Sequence, residues 1–231
     1  MADRDRIRVL TYSLRHLRGD PAAVARVVRA VSPDVACLQQ LPQHPLSGHR
    51  IGALAMACGL LWSGGGEPTG GAAVLTSLRL DQLRTHGGRL PVRRRLARSR
   101  GYASATVAVP AGPALTVASV QLGPVPDERV GDAGLILQGL RAAGPGPYVV
   151  AGDLGEAPGG PAWQSLAALV RAPAPDGSAI RDIEGRVAVL VSPQVVVESL
   201  RIAGRDDGID PADLAAATDH LPVVADLRLP R

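Results

Sequence analysis

The sequence predicts an α/β fold in which two packed β-sheets are flanked by helices. Two observations support this prediction: an early strand–helix–strand run, and a later alternation of hairpin-like strands with helical segments. Such mixed content favours two packed sheets over a single doubly wound sheet. No internal repeat and no change of composition divides the chain, so residues 1–231 are predicted to form a single domain.

The first elements form a β-α-β unit. Residues 7–13 alternate between apolar and polar side chains, which indicates a strand. Asp20 and Pro21 are typical of a helix start, and valines recur at helical spacing up to Val31. Residues 34–40 are predicted to be a second, buried strand, which completes the unit.

The middle of the chain is expected to hold one helix, over residues 49–59, and one short strand, over residues 72–77. Residues 64–71 are predicted to be a glycine-rich loop, for which we favour a flexible connection over an anion cradle. Residues 79–100 carry eight arginines and one acid. They are interpreted either as a phosphate-neutralising stripe or as a solvated loop, and we favour the loop.

The second half alternates strands and helices. Its predicted elements are strands at 102–109, 115–122 and 148–151, helices at 127–143 and 161–170, and strands at 187–191, 195–200 and 222–229. The first two of these strands are separated by a short proline-bounded turn, so they are expected to pair as a hairpin.

The composition is that of an ordinary globular protein with an unusual codon bias. Hydrophobic residues make up 46% of the chain, and charged residues make up 20%. All 25 basic residues are arginine, and the chain contains neither Asn nor Phe. We interpret this bias as that of a GC-rich, bacterial genome. The net charge of +4 permits phosphate-rich partners without requiring them.

The sequence points to a cytoplasmic protein. Its charged N-terminus is not followed by an apolar stretch typical of a signal peptide, and no segment has the length and apolarity of a membrane span. Its two cysteines do not form a disulfide framework. We therefore expect no membrane partner.

Five segments together resemble the endonuclease/exonuclease/phosphatase family, which includes DNase-I-like nucleases and inositol polyphosphate phosphatases. They span nearly the whole chain, in the family's order and at predicted strand ends. They are Arg8-Val-Leu-Thr-Tyr-Ser13, Pro33-Asp-Val-Ala-Cys-Leu-Gln-Gln40, Val117-Ala-Ser-Val-Gln-Leu122, Val149-Val-Ala-Gly-Asp-Leu-Gly155 and Thr218-Asp-His-Leu-Pro-Val223.

The resemblance implies a four-layer α/β sandwich and metal-assisted attack of water on a phosphoester. In that chemistry carboxylates at strand ends hold a magnesium ion, a histidine supplies acid or base assistance, and asparagines position water and phosphate. The resemblance also implies that Tyr102 lies at a position often facing the cleft, although capping of the hairpin edge is the alternative that we favour.

Most of the matching positions depart from the family pattern. Ser13 replaces an Asn, Gln40 the metal-binding Glu, Gln121 the central His and Gly155 a second Asn. A neutral amide is a poorer magnesium ligand than a carboxylate.

Three matching positions keep the family residue, namely Asp153, Asp219 and His220. The Asp that orients the closing His is matched by Val187 or Ala188, with Asp182 or Glu184 as alternatives. The resemblance therefore implies a candidate catalytic set of Asp153, Asp219 and His220, and a set of degenerate ligand-binding positions that line the cleft: Ser13, Gln40, Tyr102, Gln121 and Gly155.

Three hypotheses follow. The one that we favour is a family member whose phosphoesterase site is disabled and which binds a small-molecule or phosphate-containing ligand in the old cleft. The second is a metal-independent enzyme that uses His220 with Asp153 and Asp219, in a biosynthetic pathway for example. The third is a weak magnesium-dependent phosphodiesterase or nuclease. We expect no cofactor, with magnesium only under the third hypothesis, and do not favour nucleic acid as the partner.

Overall fold

The computed structural model describes residues 5–92, 98–110, 112–144, 146–172 and 187–230. Two mixed β-sheets flanked by helices make up the described part, as the sequence predicts. The first sheet has six strands: β1 (Arg6–Ser13), β2 (Val35–Gln39), β3 (Leu61–Gly66), β4 (Ala72–Thr76), β10 (Val196–Ile202) and β11 (Val223–Arg228). Their order across the sheet is β10-β11-β1-β2-β4-β3.

The second sheet has five strands in the order of the chain. They are β5 (Asp81–Arg89), β6 (Gly101–Ala108), β7 (Ala114–Gln121), β8 (Tyr148–Asp153) and β9 (Val187–Val191). Strands β6 and β7 pair antiparallel as the expected hairpin, whereas β7 and β8 are parallel and are connected through a helix.

Helices cover the outer face of each sheet. They are α1 (Pro21–Val31), α2 (Ser47–Cys58), α3 (Pro126–Ala143), α4 (Pro161–Leu166) and α5 (Pro211–Ala217). The first, second and fifth pack on the six-stranded sheet, and the other two pack on the five-stranded sheet. Asp20 caps α1 as predicted, because its carboxylate accepts a hydrogen bond from the amide of Ala22.

The two sheets pack face to face around a core of small and β-branched side chains. Valine and alanine dominate this layer, in keeping with a chain that has no Phe. The described elements therefore stack as helices, sheet, sheet and helices, which is the four-layer sandwich that the resemblance implies.

Three elements differ from the sequence predictions. Residues 81–89, predicted to lie in a solvated loop, form β5 at one edge of the five-stranded sheet. Most of its side chains are exposed, so no apolar alternation marks it. Residues 64–66, predicted to be loop, belong to β3, where a Cβ at Gly65 would overlap the carbonyl of Ala72. Helix α5 was not predicted, because a helix of seven residues is too short to show a helical period.

Three of the described arginines between 79 and 100 bond to separate parts of the protein. Arg79 pairs with Asp34, Arg84 donates to the carbonyl of Ala143, and Arg89 pairs with Glu67. Residues 93–97 lie outside the described part of the chain. Among the helices described, none combines the length and apolar character that crossing a membrane requires.

Candidate functional site

Four parallel strands end together at one end of the sandwich, which we call the carboxyl edge. In the six-stranded sheet Ser13, at the end of β1, pairs with Gln39, at the end of β2. In the other sheet Gln121, at the end of β7, pairs with Asp153, at the end of β8. Because β1 packs across from β8 and β2 across from β7, the four strand ends face one another.

Strand alternation places these four side chains on the inner faces of the sheets. Val9 and Val117 belong to the core between the sheets, and Ser13 and Gln121 each follow one of them by an even number of residues. Asp153 and Gln39 each lie two residues after a residue of the same core, Ala151 and Cys37 respectively. The carboxyl edge is therefore a polar rim on an apolar layer.

Gln39 is the centre of a buried polar network at this rim. Its Oε1 accepts hydrogen bonds from Thr11 Oγ1 at 3.2 Å and Ser13 Oγ at 3.4 Å. Its Nε2 donates to Ser119 Oγ, in the opposite sheet, at 2.9 Å and to the Cys37 carbonyl at 3.0 Å. This side chain is completely buried, so it links the sheets and does not contact solvent.

Gln121 has unused hydrogen-bonding capacity. Its side chain is only 2% exposed, yet Nε2 has no hydrogen-bond partner among the described residues. A buried amide donor without a partner is costly and is typical of a position completed by a ligand or water. At the position matching the family's central His, the structure thus offers a donor that carries no charge.

Gln40 lies just beyond the end of β2 in a left-handed conformation, with a φ of 55°. This conformation ends the strand alternation that Gln39 still follows. The carbonyl of Gln40 accepts a hydrogen bond from the amide of His16, with N and O 2.5 Å apart. The turn after β1 and the turn after β2 are therefore joined through their backbones.

Asp219 and His220 lie at the same edge, in the loop before β11. Strand β11 runs antiparallel to β1, with Val223 opposite Thr11, and this register brings the loop to the carboxyl edge. Asp219 Oδ2 forms an ion pair with Arg15 Nη1 at 2.8 Å. His220 Nε2 is 3.8 Å from Asp219 Oδ1, which is longer than a hydrogen bond.

Asp153 and Gly155 form a tight turn. Asp153 Oδ1 accepts a hydrogen bond from the amide of Gly155 at 2.9 Å, and Gly155 has a φ of 67°. A Cβ at Gly155 would lie 3.1 Å from Nε of Arg129. The Arg129 guanidinium is buried, where it donates to the carbonyls of Gly123 and Pro124. Arginine thus occupies the space beside the position matching the family's Asn.

Tyr102 does not lie with these residues, and its predicted place in the cleft is wrong. Its side chain packs on the outer face of the sheet, against α3, where a Cβ at Gly139 would overlap its phenol oxygen. The neighbouring Ala103 faces the core between the sheets, so the alternation of β6 directs Tyr102 away from it. Asp182 and Glu184, the alternatives for the Asp that orients the closing His, lie outside the described residues.

The described side chains at the carboxyl edge do not match the ligands of a magnesium ion. Among them, the carboxylates of Asp153 and Asp219 already bond to a backbone amide and to an arginine, and the other oxygens come from amides and a hydroxyl. In the described ranges, no three His, Cys, Asp or Glu side chains lie close enough to share an ion. Magnesium prefers carboxylates together with water, so this donor set fits it poorly.

Sequence reasoning missed three residues that shape the site. Gln39 has a signal in the sequence, because it continues the alternation of Val35 and Cys37 and must face the core. No signal in the sequence marks Arg15 or Arg129, because the fold alone brings them next to Asp219 and Gly155.

The likeness to known structures covers almost the whole chain. An endonuclease/exonuclease/phosphatase from Bacteroides vulgatus is 16% identical, covering 97% of this chain and 99% of its own, with a TM-score of 0.75. The human Nocturnin catalytic domain, solved with a bound sulfate anion, is 15% identical over 99% of this chain and 95% of its own, with a TM-score of 0.72. A mannosyl-6-phosphatase from Bacteroides thetaiotaomicron is 16% identical over 96% and 99%, with a TM-score of 0.68.

At these identities the structures establish the fold alone. No protein of curated function matches the chain. The model of the Endonuclease/Exonuclease/phosphatase family, however, matches residues 10–165, which is more than half of the sequence and includes four of the five segments described above. The chain therefore belongs to the endonuclease/exonuclease/phosphatase family.

Proposed function

We propose that this protein binds a phosphate-containing small molecule at the carboxyl edge and does not hydrolyse it by magnesium-dependent chemistry. The ion pair between Arg15 and Asp219, at 2.8 Å, carries this proposal. The guanidinium lowers the attraction of this carboxylate for a divalent ion, to an extent limited by water, because both side chains are about half exposed. The Arg15 guanidinium is thus the cation beside Asp219.

The remaining side chains support binding over metal-assisted hydrolysis. Gln40 and Gln121 keep the polarity of the residues that they replace and lack their charge, and amide groups donate hydrogen bonds to phosphate oxygens. The family contains phosphatases, and among the structural neighbours one is a mannosyl-6-phosphatase and another holds sulfate. A phosphate-type ligand is the simplest inference from these relatives.

The alternative of a metal-independent enzyme depends on His220. A histidine that acts as a base is normally oriented by a carboxylate within hydrogen-bond reach. Asp219 lies 3.8 Å from His220 and is paired with Arg15. We rank this alternative second and residual magnesium-dependent activity third.

Magnesium titration by calorimetry tests the proposal on four proteins: the unmodified chain, Arg15→Ala, Gln40→Glu and the double variant. We expect no binding in the millimolar range for the unmodified chain. The double variant should bind, because it restores one carboxylate and releases Asp219. Arg141→Ala, which removes an exposed arginine from α3, is the control for net charge.

Micromolar magnesium binding by the unmodified chain, together with hydrolysis of p-nitrophenyl phosphate, would overturn the proposal. Turnover that needs no metal and is lost in His220→Ala would instead establish the metal-independent enzyme. Binding of magnesium by the double variant alone would support a disabled metal site. Gly155→Asn is a poor choice of restoring variant, because Arg129 occupies the space that the new side chain requires.

A further inference from the structure

A polar cavity, which we call the basic pocket, lies beside the carboxyl edge. Its volume is about 290 Å³, and its polar walls are His16, Arg18, Gln43, His44, Arg50 and Arg98. These residues come from four separate stretches: the turn after β1, the connection from β2 into α2, α2 itself, and the segment before β6. No carboxylate contributes to the described lining.

The walls of the basic pocket are fixed by hydrogen bonds to the backbone. Arg50 Nη2 donates to the carbonyl of Leu17 at 3.1 Å, which ties α2 to the turn after β1. Gln43 Nε2 donates to the carbonyls of Gly70 at 2.9 Å and Ser99 at 3.0 Å. The second of these bonds holds the segment that carries Arg98. The pocket is thus a built cavity and not a chance gathering of long side chains.

His16 has a defined tautomer in this pocket. Its Nδ1 is 3.2 Å from the carbonyl of Leu41, and a carbonyl can only accept, so Nδ1 carries the proton. Nε2 is then the nitrogen that gains a proton when the ring becomes charged. Arg15, His16 and Leu17 all have left-handed backbones, with φ of 44°, 60° and 54°. A run of such residues without glycine is strained, and strain of this kind concentrates at functional sites.

The charge of the basic pocket distinguishes it from a larger cavity at the opposite end of the sandwich. That cavity, of about 400 Å³, is lined by three arginines and three carboxylates that pair with one another or with neighbours. The basic pocket has three arginines and two histidines without a carboxylate to balance them. Such a cavity attracts an anion, because unpaired like charges held together repel one another.

We propose that the basic pocket is a binding site for the phosphate group of a small phosphorylated molecule. Guanidinium groups match phosphate oxygens in charge and geometry, and Arg18, Arg50 and Arg98 surround one cavity. Its volume of about 290 Å³ lies just below the range of about 300–1,000 Å³ that is usual for small-ligand pockets. A cavity of this volume has room for one phosphorylated group. The inference does not depend on whether the carboxyl edge binds a ligand too.

The test is calorimetric titration with inorganic phosphate and with sulfate as a second dianion. Arg18→Ala and Arg98→Ala are the variants of choice, because neither guanidinium is used in a described backbone bond, whereas Arg50 also holds Leu17. Each substitution should weaken anion binding about tenfold or more, as expected for loss of a charge-assisted hydrogen bond. Arg141→Ala, with the same change of net charge on the exposed surface of α3, should leave binding unchanged.

Three outcomes would overturn the proposal. Equal loss of binding in Arg141→Ala would reduce the effect to net charge. Unchanged binding in both pocket variants would place the anion elsewhere. Tighter binding of a single-stranded oligonucleotide than of a sugar phosphate, weakened by the same two substitutions, would assign the pocket to a nucleic acid. Gln121→Leu, which removes the unused donor of the carboxyl edge, should weaken a ligand bound there and leave phosphate binding in the pocket unchanged, which separates this proposal from the one above.

Discussion

Gln39 Nε2 donates a hydrogen bond to Ser119 Oγ at 2.9 Å, and Ser119 Oγ in turn donates to the carbonyl of Leu38 at 2.8 Å. This chain of bonds crosses from one sheet to the other at the carboxyl edge. Apolar side chains fill most of the layer between the sheets. At the carboxyl edge, directional bonds are added to this packing and hold the sheets in register.

Replacement of Gln39 by Ala should destabilise the protein by about 2–4 kcal/mol, because three buried hydroxyls lose their partner and a cavity remains. The hydroxyls belong to Thr11, Ser13 and Ser119. Urea unfolding followed by circular dichroism measures the change. Gln82→Ala, at an exposed position of β5, should alter the free energy of unfolding by less than about 0.5 kcal/mol. Equal effects of the two substitutions would contradict a special role for Gln39.

Two glycines of α3 should respond in opposite directions to alanine. A methyl group at Gly139 would overlap the Tyr102 side chain, so Gly139→Ala should destabilise the protein by about 1–3 kcal/mol. At Gly134 nothing lies within 4 Å of the new methyl group, so alanine should stabilise the helix by about 0.5–1 kcal/mol. Thermal unfolding of both variants is the measurement. Stabilisation by Gly139→Ala would show that Tyr102 does not pack against this helix.

Both thiols should resist modification in the native protein. Burial raises the pKa of Cys58 to about 12, and burial also raises the pKa of Cys37. Because the thiolate is the reactive form, a disulfide reagent at pH 8 should label neither cysteine before unfolding and both afterwards.

The same pKa shifts predict a loss of stability in alkali. The folded pKa values lie above those of the unfolded chain, so the contribution is complete below about pH 8.5 and declines as the pH rises beyond it. Cys58→Ala should show a shallower decline between about pH 8.5 and 10 than the unmodified chain. A decline of the same slope in this variant would refute the assignment to the thiol.

Sulfate binding should strengthen as the pH falls from about 7.5 to about 5.5. Burial, followed by the charges of Arg98, Arg18 and Arg100, lowers the pKa of His16, so the ring is neutral at pH 7.5 in the free protein. A bound dianion offsets those charges and raises the pKa again. By linkage, proton uptake then accompanies binding. Sulfate is the appropriate probe, because it does not titrate in this range whereas phosphate does.

Two variants identify the group responsible for this pH dependence. His16→Gln should remove most of it, and His44→Gln, at the exposed histidine of the same pocket, is the matched control. Arg50 also lines the pocket. Without sulfate the lowered pKa of His16 acts against the folded state, so stability should fall as the pH drops below about 6.5. An unchanged pH profile in His16→Gln would disprove the assignment.

The fold could be predicted where apolar side chains alternate and not where the strands are polar. Strands β1, β2, β7 and β8 follow the core period closely, and the four strand ends of the site were found through them. Strand β5 pairs through its backbone at an edge, so its mostly exposed side chains carry no period.

The site itself was only partly predictable from the sequence. Ser13, Gln121, Asp153, Asp219 and His220 lie at the carboxyl edge as the motifs imply, because motif positions follow strand ends. Tyr102 was misplaced because the face that a strand residue occupies depends on register. The pairing of Arg15 with Asp219 joins residues about two hundred positions apart in the chain, and no local pattern encodes it.

The left-handed turn at Arg15, His16 and Leu17 sends two consecutive side chains to different sites. Arg15 pairs with Asp219 at the carboxyl edge, and the next residue, His16, lines the basic pocket. The amide of His16 is bonded to the carbonyl of Gln40, so the turn is anchored to the end of β2. Because one peptide bond joins the two residues, a change of backbone conformation at Arg15 would also move the His16 side chain.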